Sequence, residues 1–295
     1  MSCSDFTNQQ CYQFLQEFHY STTNGAFNLL ANILVLLFIL LTNTLVLYGL
    51  FITNQTKSFT NRMFIIISIS DLICGCTVIP LNLINIYLDE ESKDCILMSN
   101  IENSIYIILS FGSSINTCAL AIDRFIFIRY PFKYKKIASK RRILLLVVTL
   151  SYSVGFTIIA SRKDENLFVI SAISVVIFIL VVSIVVNVQL VKYIKKQTEE
   201  IRRLSNTFVK TSYKQRATKT ILMIITILVV TQLPQVSILS YTFITNEERR
   251  TKISFIIFHW TRLLVLMNAG LNALVYISRN KLIIKLYKNK LNKLW

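Results

Sequence analysis

Long apolar stretches alternate with short, basic, polar ones along this chain. Apolar runs occupy roughly 27–53, 62–88, 98–128, 143–160, 167–191, 218–245 and 253–277. A helix needs about 20 mainly apolar residues to cross a bilayer, and all but the shortest run, 143–160, reach that length. A water-soluble helix keeps one polar face. A run such as ILLLVVTLSYSVGFTIIA, from Ile143 to Ala160, has none. The pattern predicts an all-α membrane protein, a seven-transmembrane helix bundle over 27–277 with a polar tail over 1–26. The last segment, 278–295, changes period. Leu282, Ile283, Leu286, Tyr287, Leu291, Leu294 and Trp295 recur at helical spacing with lysines between them, which predicts a short amphipathic C-terminal helix lying on the inner leaflet.

Composition agrees with the pattern. Hydrophobic residues make up 54% and charged residues 16%, against about 25% charged in ordinary soluble domains. The net charge of +17 raises the question of nucleic acid, and its distribution answers it. Lys57 and Arg62, seven Lys/Arg from Arg129 to Arg142, nine from Lys192 to Lys219 and six from Arg279 to Lys293 all fall in alternate connecting segments. The opposite segments carry only Lys93, Arg162, Lys163, Arg249, Arg250 and Lys252, beside Asp89, Glu90, Glu91 and Asp94. Lys/Arg bias marks the cytoplasmic side, so the N-terminus is expected outside and the C-terminus inside, at the plasma membrane. The basic surface then faces anionic membrane lipids and acidic cytosolic partners, and no nucleic-acid partner is expected. Residues 1–26 lack the apolar core of a cleavable leader, so the first span is expected to insert by itself.

Several polar residues interrupt the spans at particular places. The third span ends on DRFIFIRYPF, with Asp123, Arg124, Phe125 and Pro131. Asn43 lies in TNTLV of the first span, and Asp71 lies in SISDL of the second, nine residues before Pro80. The sixth span holds Pro234 in TQLPQ, and the seventh holds Asn268, Asn272 and Tyr276 in NAGLNALVY. In this order and on these spans, the motifs make the chain resemble a rhodopsin-like (class A) G protein-coupled receptor over nearly its whole length. An Arg at a helix end also serves as a simple interfacial anchor, reaching water along its own stem. The resemblance instead implies a switch. Arg124 is neutralised by Asp123 at rest and released to a heterotrimeric G protein when the sixth helix moves outward, with Phe125, Pro131, Asn272 and Tyr276 as further parts of that switch.

Asp71 sits mid-span, where an acid costs about 2.5–3.5 kcal/mol even on insertion scales, so it needs partners. The resemblance brings Asn43, Ser113, Asn268 and Asn272 toward it and implies an allosteric sodium ion held by Asp71, Ser113, Asn268 and Asn272. A protonated Asp71 hydrogen-bonded to the asparagines is the other reading. No other cofactor is expected. The chain also departs from the family pattern. Gln232 replaces the sixth-span tryptophan, Ala273 the seventh-span proline, and Asn187 a fifth-span tyrosine. The fourth span has no tryptophan, and the loop 161–166 has no cysteine for the usual outer disulfide. Cys95 is therefore expected to pair with Cys11 or with Cys3, pinning the tail over the pocket. Lys214 stands where some relatives place an acid that clamps the helix-three arginine, and raised basal activity is the expectation.

The resemblance further places ligand contacts among the outer halves of the spans, at Asn82, Glu102, Asn103, Tyr106, Gln232, Gln235, His259 and Arg262. Tyr106 occupies the position at which amine receptors carry an aspartate, which argues against a biogenic amine. No lysine stands in the seventh span for retinal. Arg262 is read either as a site for an anionic ligand group or as an internal partner of Glu102. A peptide, a nucleoside or a lipid each fits the extracellular ligand. No nucleophile–base or metal-ligand spacing points to an enzyme. A non-coupling scavenger or accessory receptor is the alternative. A transporter is less well supported, since the chain shows no inverted repeats and no Gly/Pro-broken helices near the midplane.

Overall fold

A computed structural model describes residues 22–57, 59–87, 94–130, 134, 165–204, 213–244 and 252–292. Helices dominate them: α1 (Thr22–Ile52), α2 (Phe59–Tyr87), α3 (Asp94–Arg129), α4 (Glu165–Leu204), α5 (Tyr213–Ile244), α6 (Lys252–Arg279) and α7 (Lys281–Leu291), with a 3₁₀ turn at Gln55–Lys57. Helices α1 to α6 are each long and apolar enough to cross a membrane. They correspond to the first, second, third, fifth, sixth and seventh predicted runs. The fourth, 143–160, lies outside the described residues.

The apolar runs set the spans, but the helices outlast them. Helix α4 continues beyond its apolar stretch to Leu204, and α3 begins at Asp94, ahead of the predicted 98. Lipid offers backbone groups no partner, so the helical ladder persists until water or a capping group can take over. Hydroxyls within the spans follow the same rule. Thr42 bonds the Phe38 carbonyl at 2.8 Å, Ser110 that of Tyr106 at 2.6 Å, and Thr231 that of Ile227 at 2.9 Å. Pro80 and Pro234 lie inside α2 and α5 without ending them. Helix α6, with Ala273 in place of a proline, is continuous over Lys252–Arg279.

The six long helices close a ring. α1 packs on α2 and α6, α2 on α3, α3 on α4, α4 on α5, and α5 on α6, while α3 also reaches α5 and α6 across the interior. Two apolar layers fill that ring. Val46, Leu50, Phe64, Ile67, Leu120, Ile225 and Tyr276 occupy one end, and Val35, Ile39, Val78, Ile79, Tyr106 and Leu266 the other. The outward faces are apolar as well, with Leu34, Leu41, Phe178, Val185 and Val230 exposed. Such a surface is excluded for a monomer in water and ordinary for one in lipid. At Gly270 of α6 the Phe38 ring of α1 occupies the space a Cβ would need, so the absent side chain sets how closely these helices approach.

Candidate functional site: a buried polar seam

Inside the ring, polar side chains form a seam in three tiers. The middle tier centres on Asp71, which is fully buried and accepts a 2.6 Å hydrogen bond from the Ser113 hydroxyl. This contact joins α2 to α3. Asn43 of α1 donates to the Ile39 carbonyl at 3.0 Å and to the Ala269 carbonyl of α6 at 3.4 Å. Asn268 and Asn272 are buried on α6, which packs against α2. Several oxygens here lack a hydrogen-bond partner: Asp71 Oδ2, Asn43 Oδ1, Asn268 Oδ1 and Asn272 Oδ1. Buried acceptors normally have one.

The second tier lies at the Asp123 end. The Tyr134 hydroxyl donates to both carboxylate oxygens of Asp123, at 2.9 and 3.0 Å, and its ring meets Phe127 edge-on at 5.0 Å. Sequence reasoning missed Tyr134. The polar Tyr after a basic turn was visible, but nothing in its spacing marks the return of the chain toward α3. Tyr276 donates to Asn61 Oδ1 at 3.0 Å and accepts from Asn280 Nδ2 at 3.0 Å, while its ring stacks on Phe64 with centroids 3.9 Å apart. Asn280 also donates to Gln55 at 3.1 Å, and Asn61 to the Gln55 carbonyl at 2.8 Å. Gln55, Asn61 and Asn280 are thus polar partners of Tyr276 that the sequence did not single out. Phe125 is half-buried on α3. Arg124 lies within α3, but its side chain is outside the described residues, as are Pro131 and the predicted Cys3, Cys11 and Cys95 linkage.

The third tier lies at the opposite end. Glu102 of α3 and Arg262 of α6 form an ion pair, both nearly out of solvent. The guanidinium also lies 4.0 Å from the centroid of the Tyr106 ring, a favourable cation–π placement. The Tyr106 hydroxyl donates to Gln235 Oε1 of α5 at 2.7 Å. One face of α3 continues the connection. Ser110 bonds the Tyr106 carbonyl, Ser114 bonds the Ser110 carbonyl at 2.9 Å, and Gln232 of α5 donates to Ser114 Oγ at 3.0 Å. Asn82 sits apart from this group and donates to Asn32 at 3.5 Å, which in turn bonds Asn28. His259 contacts Phe258 edge-on. Asn103 lies on α3, with its side chain outside the described residues. Of the predicted outer residues, Glu102, Tyr106, Gln232, Gln235 and Arg262 are thus joined to one another, while Asn82 joins Asn32.

A model of the rhodopsin family of seven-transmembrane receptors matches residues 42–163, the stretch that carries Asn43, Asp71, Ser113 and the Asp123–Arg124 pair. Over that stretch the chain is similar to the rhodopsin-like receptors. Within that family it is similar to the human 5-hydroxytryptamine receptor 2C, 25% identical over 115 residues, which are 37% of this chain and 25% of that receptor. It is also similar to the alpha-1A adrenergic receptor of Oryzias latipes, 28% identical over 97 residues, 33% of this chain and 20% of that one. Dopamine receptor 4 of Caenorhabditis elegans is 29% identical over 90 residues, 30% of this chain and 17% of that receptor. The match thus spans a quarter or less of these curated relatives. The matched stretch carries Asn43, Asp71 and Ser113 of the middle tier and Asp123 with Tyr134 of the second. That stretch includes Glu102 and ends before Gln232, Gln235 and Arg262.

Proposed function

We propose that this chain is a plasma-membrane receptor, N-terminus outside, that binds an extracellular ligand and activates heterotrimeric G proteins through Asp123 and Arg124. One observation carries the reading: a buried carboxylate, Asp71, amid oxygens without partners, at a junction of helices that must shift against one another. A merely structural core would not retain it, because an acid in the membrane interior is costly. A two-state element gives it a use. The Tyr276 cluster supports the same view, since it ties the inner end of α6 to α2 and to the turn before α2, away from α3. Opening the bundle would exchange those contacts for new ones, with Arg124, Phe125, Pro131 and Asn272 on the G-protein side.

The middle tier also fits the sodium ion that the family implies. Its donors are a carboxylate, a hydroxyl and amide oxygens, the hard oxygen ligands that such a cation prefers, and Asp71 Oδ2, Asn268 Oδ1 and Asn272 Oδ1 are the atoms left without partners. Asp71, Ser113, Asn268 and Asn272 would hold the ion, which would supply the positive charge that keeps Asp71 ionised.

The relatives named above are amine receptors by name. An amine alone finds little support here, because Tyr106 is engaged by Gln235 and Glu102 by Arg262. Guanine-nucleotide exchange on a panel of purified heterotrimeric G proteins, with the chain in lipid nanodiscs, tests the proposal. The wild type should accelerate exchange without added ligand, and Arg124→Ala should reduce it to the rate of empty nanodiscs. Equal rates for the two proteins, both folded and at the same density, would leave the scavenger reading in place.

A further inference from the structure

Helix α6 ends at Arg279 and α7 begins at Lys281, so one residue, Asn280, joins them. Its backbone is extended, with φ −86° and ψ 102°, and its N–H still reaches the Tyr276 carbonyl at 3.1 Å. A single linking residue leaves little slack. What its side chain holds decides how firmly the two helices are set against each other. Beyond the joint, Ile283 is buried beside Gly49 of α1. On the near side, Tyr276 donates to Asn61 Oδ1 of α2 at 3.0 Å.

One planar amide serves both sides. Asn280 Oδ1 accepts from the Leu282 and Ile283 amides at 3.2 and 3.4 Å, donors that the start of a helix leaves without an intrahelical partner. Asn280 Nδ2 donates to the Tyr276 hydroxyl at 3.0 Å and to Gln55 Oε1 at 3.1 Å. The orientation is fixed by chemistry, because an NH2 group facing the α7 amides would meet donors. Oxygen and nitrogen belong to one rigid group, so the acceptors that hold the nitrogen also set the plane in which the oxygen caps α7. A line of contacts therefore runs from Asn61 through the Tyr276 hydroxyl and the Asn280 amide to the first turn of α7.

We propose that Asn280 is a positioning residue that ties the seating of α7 to the place of Tyr276. With Tyr276 on Asn61 the amide is held and α7 is capped. When Tyr276 leaves, the cap slackens and α7 loosens with it. The tie is reciprocal, as any coupling between two equilibria must be, so loosening α7 also eases Tyr276 from Asn61. The coupling stands on the contacts themselves. Its consequence for signalling rests on the receptor reading, in which Tyr276 moves as the bundle opens.

A double-mutant cycle tests it, with the purified chain in lipid nanodiscs and no G protein. Tyr276→Phe keeps the ring that stacks on Phe64 and removes the hydroxyl. Backbone amide exchange over 281–291, the span of α7, should quicken about fivefold in it. Asn280→Ser keeps a capping oxygen, since serine caps about as well as asparagine, but has no amide nitrogen to reach Tyr276. In that background Tyr276→Phe should change exchange over the same residues by less than about twofold. Unchanged exchange in Tyr276→Phe alone, or an equal effect of it in both backgrounds, would overturn the proposal. Gln55→Ala removes the amide's other acceptor and carries the test if Asn280→Ser does not fold. It should itself quicken exchange in α7, and no change there would overturn the proposal as well. Nucleotide exchange on purified G protein is then measured on the same samples. Arg124-dependent exchange without the amide coupling would retire the role of Asn280 alone, and the amide coupling without nucleotide exchange would retire the receptor reading alone.

Discussion

Ser113 is the described side chain that hydrogen-bonds Asp71, so its hydroxyl bears directly on the cost of the buried acid. Interhelical hydrogen bonds in membranes average about 0.6 kcal/mol, but removing a donor from a buried carboxylate falls nearer the 1–3 kcal/mol of an unsatisfied group. Ser113→Ala should therefore destabilise the bundle by about 1–3 kcal/mol, read as a lower unfolding temperature in detergent. Asp71→Asn separates the ion from the hydrogen bond: sodium, but not an equal concentration of N-methylglucamine, should raise the unfolding temperature of the wild type and leave that of Asp71→Asn unmoved. The same sodium response in both proteins would remove the ion from the account. At the inner end, Tyr134→Phe deletes both hydrogen bonds to Asp123. It should raise ligand-independent exchange by a few-fold if those bonds hold Asp123 in its resting place, and a lower or equal rate would deny Tyr134 that role. Asp71 and Asp123 were visible in the sequence because a charge inside an apolar run stands out. Tyr134 was not, because its partner lies eleven residues back along the chain and only the fold closes that distance.

Among elements, the short helix α7 shows most plainly how local chemistry sets a boundary. Asn280 caps it, its side chain accepting from the Leu282 and Ile283 amides, as Asn does at helix starts. Ile283 is fully buried and lies 3.0 Å from where a Cβ on Gly49 of α1 would stand. Tyr287 donates to the Leu45 carbonyl at 2.5 Å, and Lys290 is bonded to the Tyr48 hydroxyl. Gly49→Leu should expel Ile283 and loosen α7 without disturbing the spans, read as faster amide exchange over 281–291 with exchange in α3 unchanged. Ile283→Ala should act in the same direction, at the low end of the 2–5 kcal/mol typical of such truncations. The apolar period of this segment was legible in the sequence, as were the cores of the six described spans. The helix ends were not, since α4 and α3 run past their apolar stretches for want of any stop signal. Pairing across helices was legible only where a charge demanded it, as at Glu102 and Arg262. Gln55, Asn61 and Asn280 are ordinary polar residues near helix ends, and only the rotation of α2 and α6 turns them toward Tyr276.

At the scale of the whole molecule, the buried polar side chains among the described residues lie inside the ring, and apolar ones face both inward and out. The outer tier ties α3 to α5 and α6, the middle tier ties α2 to α3 with α6 beside them, and the inner tier ties α6 to α2. Helices α5 and α6 thereby link the first tier to the last. The Lys/Arg-rich segments that the sequence predicts on the cytoplasmic side, Lys214 among them, carry like charges that would repel one another. Raised salt should accordingly lower ligand-independent exchange by the wild type relative to its value at low ionic strength, once the salt response of the G protein alone is subtracted. Under the proposed function, the end of the bundle that carries Asp123 opens between α3 and α5 under the control of Arg124. Spin labels carried on ketone-bearing residues at positions 130 and 223, both exposed, report that separation directly by pulsed electron resonance in nanodiscs. Adding nucleotide-free G protein should lengthen the distance by about 5 Å, a helix-turn-scale shift, in the wild type and not in Arg124→Ala. A distance that stays fixed in the wild type, or that lengthens equally without Arg124, would contradict the account.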